Sequence, residues 1–218
     1  MSKMMEDKVV VVTGAGGGIG RDIALAMARD GAKVVVNDVG ASMTGEGHDV
    51  GPAQRVVDEI RAAGGTAVAN TDSVADATAA DRIVTTALDT YGRLDAVINN
   101  AGILRDRMLA NMSEEEWDAV IRVHLKGTFL PARHAAAHWR DQSKSRGGPV
   151  DARLINTSSS SGLFGNVGQT NYGAAKTGVA AFTIIAAREL KRYGVTANAI
   201  MPHAQTRMTE NLRTLTPE

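Results

Sequence analysis

The sequence predicts a doubly wound α/β fold, in which a mostly parallel sheet carries helices on both faces. Strand-like apolar runs alternate with helical segments along the whole chain, and the strand-like runs are continuously apolar. A continuously apolar strand is buried on both faces, which is typical of a parallel sheet covered by helices. Right-handed crossovers between such strands give the Rossmann arrangement.

The elements follow one another without an internal repeat or a linker, so residues 1–218 are predicted to form one domain. The predicted strands are residues 8–13, 33–37, 66–70, 94–99, 152–157 and 195–201. The predicted helices are residues 19–29, 52–63, 75–91, 113–140 and 170–193. Ser113 followed by Glu116 has the capping-box pattern. The polar residues 141–151, with Gly147-Gly148-Pro149, are predicted to form a surface loop.

The composition narrows the classes of function. The chain has 24 basic and 24 acidic residues, which argues against a broad nucleic-acid surface, and only 4% aromatic residues for base stacking. It has no cysteine, which excludes disulfides and thiolate metal sites, and we predict no metal site. No run approaches the roughly 20 apolar residues of a membrane span, and the first eight residues do not resemble a signal peptide. We therefore expect a cytoplasmic protein with no membrane or nucleic-acid partner.

A glycine-rich turn, Thr13-Gly14-Ala15-Gly16-Gly17-Gly18-Ile19-Gly20, joins the first strand to the first helix. Glycine lets the backbone approach a pyrophosphate, and the helix N-terminus supplies amide donors and a partial positive charge. A glycine cluster by itself is often only a turn, but this position between strand and helix favours dinucleotide binding. The candidate binding residues here are Gly14, Gly18, Ile19 and Gly20.

Asp38, at the end of the second strand, indicates which dinucleotide is bound. A carboxylate there can accept hydrogen bonds from both adenosine ribose hydroxyls and would repel a 2′-phosphate. Position 17 is glycine, so the turn holds no arginine to compensate such a phosphate. Both features predict NAD rather than NADP as the cofactor. The alternative is that Asp38 is a solvated loop residue.

Four motifs in this order resemble the short-chain dehydrogenase/reductase family. They are the glycine turn, Asn99-Asn100-Ala101-Gly102, Ser159, and Tyr172-Gly173-Ala174-Ala175-Lys176. The resemblance runs from Lys8 to about Thr209, and it implies that Ser159, Tyr172 and Lys176 are catalytic. It also implies that Tyr172 and Lys176 contact the cofactor.

A narrower resemblance is to the (3R)-hydroxyacyl-CoA dehydrogenase unit of peroxisomal multifunctional enzyme type 2 and its bacterial relatives. It is carried by residues 37–40, 67–74, 99–108, 122–129 and 207–209. It implies oxidation of a (3R)-3-hydroxyacyl-CoA to the 3-oxoacyl-CoA with NAD. The alternatives are a secondary alcohol or steroid substrate and a non-catalytic dinucleotide sensor.

The spacing of Tyr172 and Lys176 suits acid/base chemistry. Residues four apart on a helix share a face. A nearby lysine cation, together with the positive oxidised nicotinamide, favours the phenolate and would lower the tyrosine pKa from about 10 toward neutrality. Tyr172 is therefore predicted to be the general acid/base, and Ser159 would hold the substrate oxygen. Without the other motifs, the pair would be an ordinary surface pair.

The remaining cofactor candidates take their roles from the family position. Asn100, Ala101 and Gly102 are expected on the adenosine side, and Asp72 and Ser73 at the adenine edge or as helix caps. Thr206 resembles the threonine that binds the nicotinamide carboxamide. His124 stands where the family usually has asparagine, and it either supports the water relay to the lysine or is satisfied inside the core.

Three further expectations concern the surface and the ends of the chain. Arg105, Asp106 and Arg107 could meet the phosphates of a CoA thioester, although a solvated charge cluster is favoured. The long helices at residues 113–140 and 170–193 are expected to pair in a homodimer or homotetramer. The family usually continues into another helix and a final strand, so a chain that stops at Glu218 is expected to be an incomplete portion of a longer chain, the alternative being a protein that lacks its last sheet strand.

Overall fold

The computed structural model describes residues 3–202, and residues 1–2 and 203–218 lie outside the described part. Its six strands form one parallel sheet in the order β3-β2-β1-β4-β5-β6. The strands are β1 (Val9–Thr13), β2 (Lys33–Asn37), β3 (Thr66–Asn70), β4 (Ala96–Asn99), β5 (Ala152–Thr157) and β6 (Val195–Ile200). The predicted doubly wound parallel sheet is confirmed.

Seven α-helices connect these strands within residues 3–202. They are α1 (Gly18–Arg29), α2 (Gly51–Ala62), α3 (Ala77–Tyr91), α4 (Glu114–Ile121), α5 (Gly127–Ser145), α6 (Ser160–Phe164) and α7 (Thr170–Leu190). A π-helical turn, Arg122–Lys126, joins α4 to α5, and short 3₁₀ turns lie at Leu109–Asn111 and Lys191–Tyr193. The predicted capping box of Ser113 and Glu116 is present at the start of α4.

The core lies on both faces of the sheet. Side chains alternate along a strand, so Val9 and Val11 of β1 join a cluster with Trp139 of α5. Val10 and Val12 join the opposite cluster, with residues of α1 and α2. All four valines are 0% exposed. Burial on both faces is the reason that β1 is apolar at every position.

Two predicted elements differ from the structure. The predicted surface loop over residues 141–151 is wrong in its first half, because α5 continues to Ser145. Ser143 is buried and its hydroxyl donates to the carbonyl of Gly148 at 3.0 Å, so this polar residue faces inward from a helix. The predicted helix over residues 113–140 is interrupted by the π turn. Pro131 lacks the N–H that would bond back to the carbonyl of Gly127, where α5 begins.

No helix within residues 3–202 is long and apolar enough to cross a bilayer. In the same range, no group of three or more histidine, cysteine, aspartate or glutamate side chains is arranged to hold a metal ion.

Candidate active site

The candidate residues meet at the carboxyl edge of the sheet. The glycine turn follows β1, Asp38 follows β2, Asn100 follows β4, and Ser159 follows β5. In a parallel sheet these carboxyl ends share one edge, and ligands bind there where the strand order reverses direction. Here that point lies between β1 and β4. Segments far apart in sequence therefore surround a single cleft.

The glycine turn has the geometry that a pyrophosphate requires. Gly14 and Gly18 have φ angles of 63° and 53°, in the left-handed region. A Cβ on Gly14 would lie 2.6 Å from the Cα of Ala101, whereas a Cβ on Gly18 would point into open space. Helix α1 has no side-chain cap at Gly17 and no acidic residue in its first turn. Because no capping side chain accepts from the amide groups of the first turn of α1, these groups can donate to the phosphates of a dinucleotide.

Asn100 and Thr13 fix this turn to β4. The Asn100 Nδ2 donates to the carbonyls of Thr13 and Gly14, at 3.2 Å each. The buried Thr13 Oγ1 accepts from the backbone N–H groups of Asn100, at 3.0 Å, and Ala101, at 3.2 Å. The Asn100 amide thus supports the turn from within. Thr13 was not among the predicted site residues, although a hydroxyl at the strand end directly before the glycines was a visible signal.

Asp38 is held across the turn by both carboxylate oxygens. Its Oδ2 accepts from Gly16 N at 2.8 Å and its Oδ1 accepts from Gly40 N at 2.7 Å. The alternative of a solvated loop residue therefore does not describe it. A carboxylate offers about four lone-pair sites, so acceptor capacity remains for ribose hydroxyls.

Asp72 and Ser73 lie at the end of β3 with local partners. The Asp72 carboxylate accepts from Arg82 Nε at 2.8 Å and from Asn70 Nδ2 at 3.0 Å. The Ser73 hydroxyl accepts from the backbone N–H two residues later at 3.2 Å. Neither residue caps α3, whose N-cap is Asp76. The helix-cap alternative for Asp72 and Ser73 is therefore wrong.

The structure brings Ser159, Tyr172 and Lys176 together. Ser159 is the N-cap of α6, where its Oγ accepts from Ser161 N at 3.2 Å, and its hydroxyl lies near enough to Tyr172 to lower the pKa of the phenol. The Lys176 Nζ lies 5.5 Å from the centre of the Tyr172 ring. It donates to the carbonyl oxygen of Thr157, at the end of β5, at 2.6 Å.

The protonation of this cluster differs from the expectation. Burial lowers the pKa of Lys176 to about 7. Burial raises the pKa of Tyr172, the nearby Ser159 hydroxyl lowers it, and the charge of Asp106 raises it further. Within residues 3–202, Lys176 does not contribute to the lowering of the Tyr172 pKa that was predicted from the lysine and the nicotinamide together. The physical reason is that the buried lysine is itself destabilised as a cation and bonds to a carbonyl.

His124 lies in the π turn and is 2% exposed. Its Nε2 is 2.8 Å from the carbonyl oxygen of Ile103 and 3.1 Å from Ile103 N, and the tautomer decides which bond forms. Within residues 3–202 its Nδ1 is buried without a hydrogen-bond partner. Burial, aided by the charge of Lys176, lowers the pKa of His124 to about 3. The ring is thus a neutral core histidine that is only half satisfied, set edge-on to Tyr172 at 5.0 Å.

The charged residues after β4 are paired. Arg105 contacts Glu46 at 3.3 Å, Arg107 contacts Glu116 at 2.8 Å, and Asp106 accepts from Gln169 Nε2 at 2.8 Å. These pairs support the interpretation that the three residues form a charge cluster, and they argue against free cations that would bind the phosphates of a CoA thioester.

Asn171 was missed by the sequence analysis. It is 0% exposed, its Oδ1 accepts from the backbone N–H of Tyr172 at 2.7 Å, and its Nδ2 donates to the carbonyl of Arg105 at 2.9 Å. It therefore fastens the start of α7 to the segment after β4. Thr206, and the resemblance at residues 207–209, lie outside the described residues.

Comparison with known proteins agrees with this geometry. The family described as short chain dehydrogenase matches residues 8–216. The chain is 52% identical to the hydroxyacyl-CoA dehydrogenase ChsB1 of Mycobacterium tuberculosis, over 98% of its own length and 66% of that protein's. It is 48% identical to peroxisomal multifunctional enzyme type 2 of Mus musculus, over 95% of its own length and 27% of that protein's. The crystal structure of a short chain dehydrogenase from Mycobacterium avium superposes with a TM-score of 0.86 at 59% identity, covering 92% of this chain and 71% of the other.

A parallel sheet with a glycine turn and a Ser/Tyr/Lys cluster at its carboxyl edge defines a dinucleotide-binding α/β protein. Within that class, this chain belongs to the short-chain dehydrogenase family. The family binds a nicotinamide dinucleotide, NAD or NADP. The chain spans just under two thirds of ChsB1 and about a quarter of the mouse enzyme.

Proposed function

We propose that the protein oxidises a (3R)-3-hydroxyacyl-CoA to the 3-oxoacyl-CoA with NAD. The observation that carries the proposal is the cluster of Ser159, Tyr172 and Lys176 at the carboxyl edge, beside the glycine turn. The substrate class is supported by the names of the relatives from M. tuberculosis and mouse. A bound nicotinamide ring supplies the acceptor for the hydride that leaves the hydroxyl-bearing carbon.

In this proposal Ser159 and Tyr172 act on the substrate oxygen. The Ser159 hydroxyl acts on the pKa of the Tyr172 phenol, which places the two groups near each other, so a substrate hydroxyl placed between them would contact both. Ser159 would hold that oxygen, and Tyr172 would take its proton as the hydride departs. Tyr172 is half-buried, so its phenol is partly shielded from water that would compete in the proton transfer.

Lys176 is proposed to position the dinucleotide and to receive the proton from the tyrosine side. One of its N–H groups is bound by the Thr157 carbonyl, and the other donors remain for ribose hydroxyls. With its pKa near 7, the amine can both bind and release a proton at neutral pH. The half-satisfied His124 is proposed as a further polar contact behind this cluster.

The choice of NAD rests on Asp38. The Gly16 and Gly40 amides fix its carboxylate beside the turn. A 2′-phosphate brought to the same ribose would meet this fixed negative charge. We therefore propose NAD as the cofactor, with the adenosine ribose bound by Asp38.

The decisive experiment is a screen of dinucleotide reduction. Both stereoisomers of 3-hydroxyacyl-CoA thioesters of several chain lengths would be compared with simple secondary alcohols and steroids, and NADH would be followed by its absorbance. We expect turnover with the (3R) thioesters and little with the (3S) thioesters. Preference for a steroid or a simple alcohol, or no turnover with any of them, would overturn the substrate assignment.

We also propose that the protein forms a homodimer or homotetramer through α5 and α7. Phe129 on α5 is 43% exposed, and Ile184 and Ile185 on α7 are 58% and 56% exposed. These large apolar side chains lie on helices that an identical subunit could cover. Sedimentation equilibrium that finds only monomer would contradict this arrangement.

A further inference from the structure

The loop between β2 and α2, residues 40–49, reaches across the cleft. It leaves directly after Asp38, and it closes on itself where Asp49 N donates to the carbonyl of Val39 at 3.1 Å. Its tip, however, contacts the segment that follows β4: Leu104 N donates to the carbonyl of Met43 at 2.9 Å. Strand β1 lies between β2 and β4 in the sheet. The loop therefore passes over the end of β1, where the glycine turn lies.

Arg105 makes the side-chain connection to this tip. Its Nε donates to the carbonyl of Thr44 at 2.6 Å, and its guanidinium pairs with Glu46 at 3.3 Å. Gly45 sits over the Ile103 side chain, where a Cβ would lie 3.0 Å from its Cδ1. The tip is also closed internally, because Ser42 N donates to the carbonyl of Glu46 at 2.7 Å. The tip is thus a closed turn whose side-chain contacts to the segment after β4 come from Arg105.

The segment that receives the tip is itself fixed to the catalytic cluster. The backbone of Ile103 is held by His124, and the carbonyl of Arg105 accepts from Asn171, next to Tyr172. One residue therefore contacts the loop through its side chain and the start of α7 through its backbone.

We propose that residues 40–49 form a strap over the bound dinucleotide and that the Arg105 side chain is the positioning residue that anchors it. The inference rests on the proposed dinucleotide site. A dinucleotide that extends along the carboxyl edge, from Asp38 to Tyr172, must pass beneath a loop that spans from β2 to β4. The strap can contact the dinucleotide only while it is anchored to residues 103–105, so the Arg105 contacts lower the dissociation constant.

The test compares Arg105→Met with Arg107→Met. Both lose a guanidinium from the same segment, but Arg107 pairs with Glu116 of α4 and not with the strap. The first readout needs no dinucleotide: hydrogen exchange of the amides of Ser42, Glu46 and Leu104. We expect faster exchange at these amides in Arg105→Met and unchanged exchange in Arg107→Met.

The second readout is NADH binding, followed by fluorescence. Loss of a charge-assisted hydrogen bond corresponds to roughly a tenfold rise in Kd, and we expect this rise for Arg105→Met only. Its kcat at saturating dinucleotide should change much less than its KM for the dinucleotide, because the Arg105 carbonyl and its bond to Asn171 remain. Arg105→Lys keeps the positive charge but loses the planar guanidinium that donates to two partners at once. Its Kd for NADH should fall between those of wild type and Arg105→Met, and this variant replaces Arg105→Met if the latter does not fold.

The possible outcomes distinguish failure of the strap proposal from failure of the proposed reaction. Unchanged exchange in the Arg105 variants, or equal effects of Arg105→Met and Arg107→Met, would overturn the anchor. Weaker NADH binding without faster strap exchange would also overturn it, because Arg105 would then act on the dinucleotide directly. If the protein shows the expected exchange and binding but oxidises no 3-hydroxyacyl-CoA, the strap proposal stands and the substrate assignment is wrong.

Discussion

Lys176 donates to the carbonyl oxygen of Thr157 at 2.6 Å while its side chain is buried, so the amino group of this cluster is fixed by the end of β5. Thr157 is the last residue of its strand, two positions before Ser159. The same strand end therefore orients the lysine of α7 and presents the serine that precedes α6. Packing of α7 against β5 thereby sets the relative positions of the three chemical groups.

Tyr172→Phe should lower turnover by about two to four orders of magnitude, the usual contribution of a general acid/base. The ring keeps its packing against His124 and only the hydroxyl is lost. NADH binding, measured by fluorescence, should remain close to wild type. Near-normal turnover in this variant would refute the role of Tyr172.

The rate of hydroxyl oxidation should rise with pH from neutrality into the alkaline range. In the proposed reaction Tyr172 accepts a proton in this direction, and burial raises its pKa, so the protonated form, which cannot accept a proton, persists at neutral pH. Asp106 contributes to the raised pKa through its negative charge. Asp106→Asn should therefore move the inflection of kcat/KM to lower pH.

The Asp106→Asn variant is conservative because the asparagine oxygen can still accept from Gln169. Asp118→Asn on α4 serves as the matched control. If the inflection of kcat/KM stays in place or moves to higher pH, the Asp106 charge does not raise the pKa of the Tyr172 phenol.

His124 should make the protein less stable on acidification. Its folded pKa is about 3, lowered from 6.5, so between these values the unfolded chain binds the proton and the folded chain does not. Stability is therefore lost as pH falls below 6.5. At roughly 1.4 kcal/mol per pH unit, the loss between pH 6.5 and about pH 5 is about 2 kcal/mol from this one group.

Urea unfolding at both pH values measures this effect. In His124→Asn the pH-dependent loss should shrink, whatever the absolute stability of the variant, and in the exposed control His48→Asn it should match wild type. An equal pH dependence in His124→Asn and wild type would show that the imidazole is not held neutral by the fold.

Asp38→Asn should narrow the preference for NAD over NADP by about tenfold or more, because the negative charge that opposes the 2′-phosphate is removed. Dissociation constants for both dinucleotides, measured by titration calorimetry, give the ratio. Asp49→Asn is the matched control, since Asp49 lies at the base of the same loop and its side chain accepts from Gly51 N at 2.8 Å. A ratio unchanged by Asp38→Asn would remove Asp38 from the recognition of the ribose.

Much of the fold could be predicted because its signals are local. The strands β2, β3 and β5 have the predicted bounds, and the others differ by one or two residues at their ends. Valine runs, helical spacing and glycine stops are properties of neighbouring residues. The error at residues 141–145 has the same origin, since polarity indicates exposure and Ser143 is polar yet buried through its bond to Gly148.

The amino-acid sequence was enough to predict the parallel sheet, the glycine turn, and the placement of Ser159, Tyr172 and Lys176 on elements that share one edge. The burial of Lys176 against Thr157, the pairing of Asp72 with Arg82, and the link from Tyr172 through Asn171 to Arg105 are visible only in the folded protein. The physical reason is that hydrogen bonds and burial between distant segments depend on how helices pack on the sheet. Residue type and spacing specify which groups are present, whereas packing sets their protonation and their partners.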